Sequence, residues 1–253
     1  MAVLRKREPV QNRFPAITPT PMKHLLRLAL LLACPILAYL GTTAAWAAYA
    51  FDSLAAAQPG VGGVPLSPRQ AAILFIVEDP DFPVHAGISF ADGQGPATIT
   101  SAVARDFYLS TVRTAGIAGV LQDFHGRVHR CCKAVDIGRD AMALVLNARM
   151  SKDEQLAFYV RNVYMGSHAG MQVRGLAAAA LLYTGKPLET LREHEFVRLV
   201  AMIKAPNGYH PLRQPAALAQ RTARIEALLA GRCKPAGWSD TLFQECSLQE
   251  GKP

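Results

Sequence analysis

From Ser67 onward the chain is punctuated as a succession of helices, and that punctuation narrows the fold more than any other feature. "SPRQAAILFIVED" opens on a capping serine, Ser67, with Pro68 at the first helical position. "SKDEQLAFYVRNVYMG" carries a capping box, Ser151 with Glu154, and Gly166 as its stop. Its Leu156, Tyr159, Val160 and Val163 share one face at helical spacing. "QVRGLAAAALLYTGKP" predicts a buried, alanine-rich helix stopped by Gly185 and Pro187. "REHEFVRLVAMIKAPN" predicts an amphipathic one ending at Pro206, and "PAALAQRTARIEALLAG" one that starts with Pro215 and ends at Gly231. Strand signals are scarce, and no internal repeat, dinucleotide-binding or phosphate-loop glycine pattern occurs. The expectation is a mostly α domain over residues 67–231, followed by a C-terminal tail, 232–253.

Ahead of the domain, Leu28 to Ala50 contains no charged residue, although Pro35 interrupts the run. That length suffices for a bilayer core of about 30 Å at about 1.5 Å per helical residue. The leader before it holds Arg5, Lys6, Arg7, Arg13, Lys23 and Arg27 against Glu8 alone. This asymmetry predicts a single transmembrane helix at 28–50 with residues 1–27 as a cytoplasmic basic tail. Residues 51–66, rich in Gly and Pro, then read as a linker. The rival reading is a cleaved signal peptide, for which Ala48 and Ala50 offer a small-x-small site; the apolar stretch is longer than the usual ~7–15-residue signal core.

The net charge of +8 is mostly topogenic: the first 50 residues carry six bases and one acid, so the rest of the chain is only +3. A nucleic-acid partner thereby loses its main support. Among the five cysteines, Cys34 lies in the apolar run and Cys131 and Cys132 are adjacent. Cys233 and Cys246 bracket "CKPAGWSDTLFQEC" and are expected to close a loop in an oxidising compartment. No Cys/His spacing suggests zinc, and a metal held by carboxylates stays open.

The chemistry-bearing stretch is "FIVEDPDFPVHAG", Phe75 to Gly87, where an apolar helix delivers Glu78 and Asp79 to its last turn. The C-terminal dipole and the neighbouring carboxylate both disfavour ionisation of Glu78, which suits it to proton transfer near neutral pH. The plainer reading is a pair of solvated helix-end acids, and His85 alone reads as a structural, hydrogen-bonding histidine. Arg149, Arg161 and Arg174 read as surface or structural charges.

Several stretches, in order, resemble the glycosyltransferase family 51 domain, the peptidoglycan polymerase module of penicillin-binding proteins. "EDPDFPVHAG" is similar to its first motif, and "GPATITSAVARDFYL" to its glycine-rich Thr-Ile-Thr motif leading into a helix. "SKDEQLAFYVRNVYMG" and "VRGLAAAALLYTGKPLETL" are similar to the helix pair that follows, and "MIKAPNGYHPLRQP" to the last motif. The similarity covers roughly residues 65–230. It implies a lysozyme-like helical fold anchored in the inner membrane, with the N-terminus cytoplasmic and the domain in the periplasm. The implied substrate is the lipid-linked peptidoglycan precursor, and other cell-wall synthesis proteins are the implied partners. Glu78 becomes the general base, with Asp79 beside it in the catalytic pair. Phe82, His85, Thr98, Thr100, Arg105 and Lys204 become substrate-binding residues, the last two meeting the departing pyrophosphate, where a divalent metal (Mg or Mn) is also accommodated.

The chain departs from the pattern at informative places. The second acidic residue of the family maps to Arg139, with Asp140 one position away. Ala97 replaces the serine of the Thr-Ile-Thr motif, Ser101-Ala102 replaces a glutamine pair, and the segment after His85 is short. Two readings therefore stand beside each other: an active polymerase, or a relative that binds precursor or partners without turnover. A hydrolase of the lysozyme-like fold is a third, opposed by Arg105 and Lys204, since a glycan releases no phosphate.

Overall fold

The computed structural model of the chain describes residues 21–58, 64–109, 112–131 and 136–247. The distal part of the basic leader, Cys132, the middle of the expected linker and the last residues lie outside the described residues. Helix α1 runs Pro21–Ala57; residues up to Tyr39 form one unit and those from Leu40 onward belong to a second. In the first unit, Leu31, Ile36 and Leu37 are exposed apolar side chains. The second contains α2 (Pro68–Glu78), α3 (Ile99–Leu109), α4 (Gly116–Cys131), α5 (Ile137–Arg149) and α6 (Lys152–Asn162). After these come a hairpin, β1 (Tyr164–His168) with β2 (Met171–Arg174), then α7 (Leu176–Thr184), α8 (Glu193–Ile203) and α9 (Pro215–Leu229). The expected mostly α class is what the structure has.

The caps form where the sequence placed them. Ser67 accepts from the Gln70 N–H while the Gln70 side chain accepts from the Ser67 N–H, and Ser151 and Glu154 do the same for α6. The helix expected to run to Gly166 ends earlier, because Val163 is already extended and the following residues pair antiparallel with β2. Its successor likewise starts at Leu176 rather than in "QVR". Gly175 makes that break: its φ is +84°, and a Cβ there would sit 2.4 Å from the Arg161 carbonyl oxygen. No other residue type fits both the angle and the space.

Helix α3 is the hub. Its Ile99, Val103, Ala104, Phe107 and Tyr108 are buried against Met142, Ala143 and Leu146 of α5 and Phe158 of α6. Phe107 meets Phe51, Tyr108 and Phe158 at centroid separations of 5.3, 5.0 and 5.9 Å, a cluster that fixes α1, α3 and α6 together.

Two boundaries differ from the sequence expectation. The second half of the apolar run is domain core: Trp46, Ala47, Ala50, Phe51 and Leu54 are buried, and the Trp46 indole N–H donates to the Ala118 carbonyl at 3.0 Å. The helix continues to Ala57 where a linker was expected. Among the described residues, no helix is long and apolar enough to cross a membrane. The expected tail is also part of the domain as far as Ser247. Cys233 and Cys246 are bonded, Phe243 is buried, and buried Arg221 of α9 donates to the Thr241 carbonyl at 3.0 Å. Apolar burial holds this segment, which Gly- and Pro-rich composition had disguised as tail.

Candidate active site

Glu78 is the last residue of α2, whose Ile73, Leu74 and Val77 are buried and set its rotation. The residue as a whole is partly covered, but its Oε1 is sealed from solvent and has no hydrogen-bond partner. Burial pushes its carboxyl up to about 7; Arg221 and Lys204 pull against this, and Asp79 adds to it. A carboxylate in that range is half-ionised at neutral pH, as a general base requires. The cavity it lines is about 330 Å³ and also presents Arg105, Asp106, Tyr159, Lys204 and Gln94. Tyr159 is held neutral, its hydroxyl raised by burial and then by the nearby Glu78 charge.

Asp79 does not line this cavity. It is fully buried and accepts the Ile99 N–H at 2.7 Å and the His85 Nε2–H at 2.9 Å. The Gly87 N–H donates to His85 Nδ1 at 2.9 Å, which fixes the tautomer and leaves Nε2 as the donor. Asp79 and His85 thus tie the end of α2 to the first turn of α3. Phe82 is buried against Phe75, with the Lys152 ammonium 4.6 Å over its ring. The buried Thr100 hydroxyl donates to Gln155 Oε1 at 2.7 Å, and Thr98 caps α3 while donating to the Gly87 carbonyl at 2.8 Å. So of the residues expected at the site, Glu78, Arg105 and Lys204 meet in one cavity. Asp79, Phe82, His85 and Thr100 stand behind its wall as supports rather than as contacts. Thr98 faces a second cavity, described below.

An adjoining concavity of about 370 Å³ shares Arg105, Asp106 and Tyr164 with the first and adds Arg130, Arg139, Arg174 and His129. Asp106 orders it: the Arg105 Nε–H donates to its Oδ1 at 2.7 Å and Arg174 Nη1 lies 3.8 Å from its Oδ2. The lining carries four guanidinium groups, of which Arg105 and Arg174 lie against Asp106 and Arg139 against Asp140, a composition that suits an anion. Arg139, at the place of the expected second acid, bonds Asp140 Oδ1 from Nε and Nη2 at 3.0 and 2.9 Å and the Pro96 carbonyl at 2.8 Å. Among the described residues, no group of three or more His, Cys, Asp and Glu could hold a metal ion, and the counter-charges to an anion here are side-chain cations.

Asp106, Gln94, Tyr159, Arg174 and Arg221 are positions the sequence reading did not bring to the site. Asp106 is adjacent to Arg105, a signal that was in view; the others arrive from distant segments through folding alone.

A family model described as Transglycosylase matches residues 63–229. Penicillin-binding protein 1B of Vibrio cholerae is 32% identical over 154 residues, which is 55% of this chain and 18% of that protein. Penicillin-binding protein 1B of Escherichia coli is 29% identical over 170 residues, 62% of this chain and 18% of that protein. A protein of Cupriavidus necator named as a transglycosylase is 28% identical over 204 residues, 75% of this chain and 78% of its own length. The match thus spans about a fifth of the two penicillin-binding proteins.

Proposed function

We propose, from the premise that this chain belongs to the transglycosylase family, that its domain polymerises a lipid-linked disaccharide-peptide into peptidoglycan strands. The observation that carries this reading is the sealed, unpartnered Oε1 of Glu78 in a cavity shared with Arg105 and Lys204. In the proposed reaction Glu78 takes the proton of an attacking sugar hydroxyl as the anomeric C–O bond to the diphosphate breaks. The new glycosidic bond forms at that carbon, and the electron pair leaves with the diphosphate. Arg105 and Lys204, with Arg174 beside Asp106, receive the leaving charge without reorganisation.

Incubating the purified full-length protein with labelled lipid-linked precursor should give glycan polymer. Lys204→Ala should weaken precursor binding and turnover together, because its charge meets the phosphates in ground and transition state alike. Binding without any polymer, under conditions where an active relative works, would sink the enzyme reading. It would favour a non-catalytic precursor-binding relative, a reading supported by Arg139 standing locked to Asp140 where a second free acid was expected.

We also propose that the chain is anchored in the inner membrane by a single pass, N-terminus in the cytoplasm and domain in the periplasm. The charge-free part of the run ahead of the buried Trp46, its basic leader and the exposed Leu31, Ile36 and Leu37 support it. The disulfide accords with an oxidising compartment. Alkaline carbonate should leave the protein in the membrane pellet; recovery in the supernatant would refute the anchor.

A further inference from the structure

The segment beyond α9, outside the family match, packs on α9 and also reaches the loop ahead of α3. The Gly93 N–H donates to the Gly237 carbonyl at 3.0 Å and the Gly95 N–H to the Trp238 carbonyl at 2.8 Å. The approach is tight: a Cβ on Gly93 would lie 2.8 Å from both the Phe243 ring and Pro235. Between these bonds sits Gln94, nine-tenths buried, with its Oε1 unpartnered in the Glu78 cavity. The Cys233–Cys246 bond closes the segment that makes this contact.

On the far side of Pro96 the same contact builds another cavity, about 310 Å³, at the small end of the range of roughly 300–1,000 Å³ usual for ligand pockets. Its aromatic wall is Phe90 and Trp238, ring centroids 5.9 Å apart, 74% and 37% exposed. Its polar wall is Arg139, Asp140, Asp136 and Thr98. Two carboxylates against one guanidinium make this cavity unsuited to a phosphate, in contrast to the neighbouring concavity with its four arginines. Both Arg139 bonds fall on Asp140 Oδ1, which leaves Oδ2 to accept from a hydroxyl. Open aromatic faces opposite a fixed, planar hydrogen-bonding pair suit a neutral ring with apolar C–H faces and an equatorial rim of hydroxyls.

We propose that this cavity is a saccharide subsite, taking one N-acetylhexosamine ring, with Phe90 and Trp238 against the ring face and Asp140 on its hydroxyls. It deepens the polymerase reading by adding a sugar-binding wall from outside the family match, beside the cavity that holds Glu78. The ring belongs either to the precursor or to the glycan strand, and the length of the probe separates them.

The chain has two tryptophans, and Trp46 is buried, so Trp238 can report binding by its fluorescence. Detergent-solubilised full-length protein is titrated with soluble β-1,4-linked N-acetylglucosamine oligomers, dimer to tetramer. A saturable emission change is expected, and calorimetry should find binding weakened roughly 3–10-fold in Trp238→Ala and in Phe90→Ala. Equal affinity for dimer and tetramer assigns the ring to the precursor, tighter tetramer binding to the strand. Phe90→Ala carries the test if Trp238→Ala loosens its loop, since Phe90 is exposed and its loss leaves the fold intact by circular dichroism. No saturable response to any oligomer from the folded protein would overturn the subsite. So would an equal response to inorganic pyrophosphate. The titration needs no turnover, so a protein that makes no polymer yet binds the oligomers would sink the polymerase reading and leave this one standing.

Discussion

Glu78→Gln should lower glycan polymerisation by about 10²–10⁴-fold, the contribution of a positioned acid–base group, while leaving precursor binding nearly unchanged. The substitution keeps the shape of the side chain and removes the proton acceptor. Because the folded carboxyl titrates near 7, the wild-type rate should rise with pH through that value as the base becomes ionised. The same residue should lower stability. An unfolded glutamate titrates near 4.5 and the folded one near 7, so folding favours the neutral form. Raising the pH through this window therefore withdraws stability, and above it the full penalty applies, on the order of 3 kcal/mol at about 1.36 kcal/mol per pKa unit. The glutamine variant lacks that penalty. Urea unfolding at pH 5 and pH 8 should show the variant gaining on the wild type only at the higher pH. Equal activity in the two proteins would remove Glu78 from the mechanism.

Asp79→Ala should lower stability by about 3–5 kcal/mol, as expected when one member of a buried, charge-assisted network is removed. It leaves the Ile99 N–H and the His85 Nε2–H without an acceptor in a site that excludes water. Since these two bonds lock the end of α2 to the start of α3, the rate should fall as well. Thermal unfolding followed by circular dichroism should move down by roughly 10 °C. The double variant with His85→Ala should lose less than the sum of the single losses, because both remove one shared bond. Asp79→Asn should fall between, since an amide can accept from one partner only by turning its NH₂ toward the other. A midpoint unchanged in Asp79→Ala would contradict the network.

What could be read ahead of the structure was what local chemistry specifies. Ser67 with Pro68, and Ser151 with Glu154, announce helix starts because capping depends on neighbours a few residues away. Glu78, Arg105 and Lys204 were legible as a trio only through the ordered motifs, yet the cavity brings all three together. The hairpin at Tyr164–Arg174 was hidden because Val163 and Val173 continue the apolar spacing of the flanking helices, and only the crowding at Gly175 breaks them. Gln94, Arg174 and Arg221 carry no local signal at all. Arg221 in particular looks like a solvated helix base, but it is fully buried, donating to the Ala201 carbonyl at 3.0 Å and biasing Glu78 from behind. Asp79 was legible as the neighbour of Glu78 in the motif, but that it accepts from the first turn of α3 and from His85 could not be read in one dimension.

Helix α1 sets a limit on where this domain can be cut. A break after Ala50, which the small residues there invite, would carry off Trp46, Ala47 and Ala50, all seated in the core, and the indole bond to Ala118 with them. Emptying the Trp46 site alone would be expected to cost about 3–5 kcal/mol, a large part of the 5–15 kcal/mol that holds a typical domain together. A truncation meant to yield the domain alone must therefore keep the helix from Leu40 onward. Cleavage at Ala50 is expected to lower the unfolding midpoint of the remaining domain.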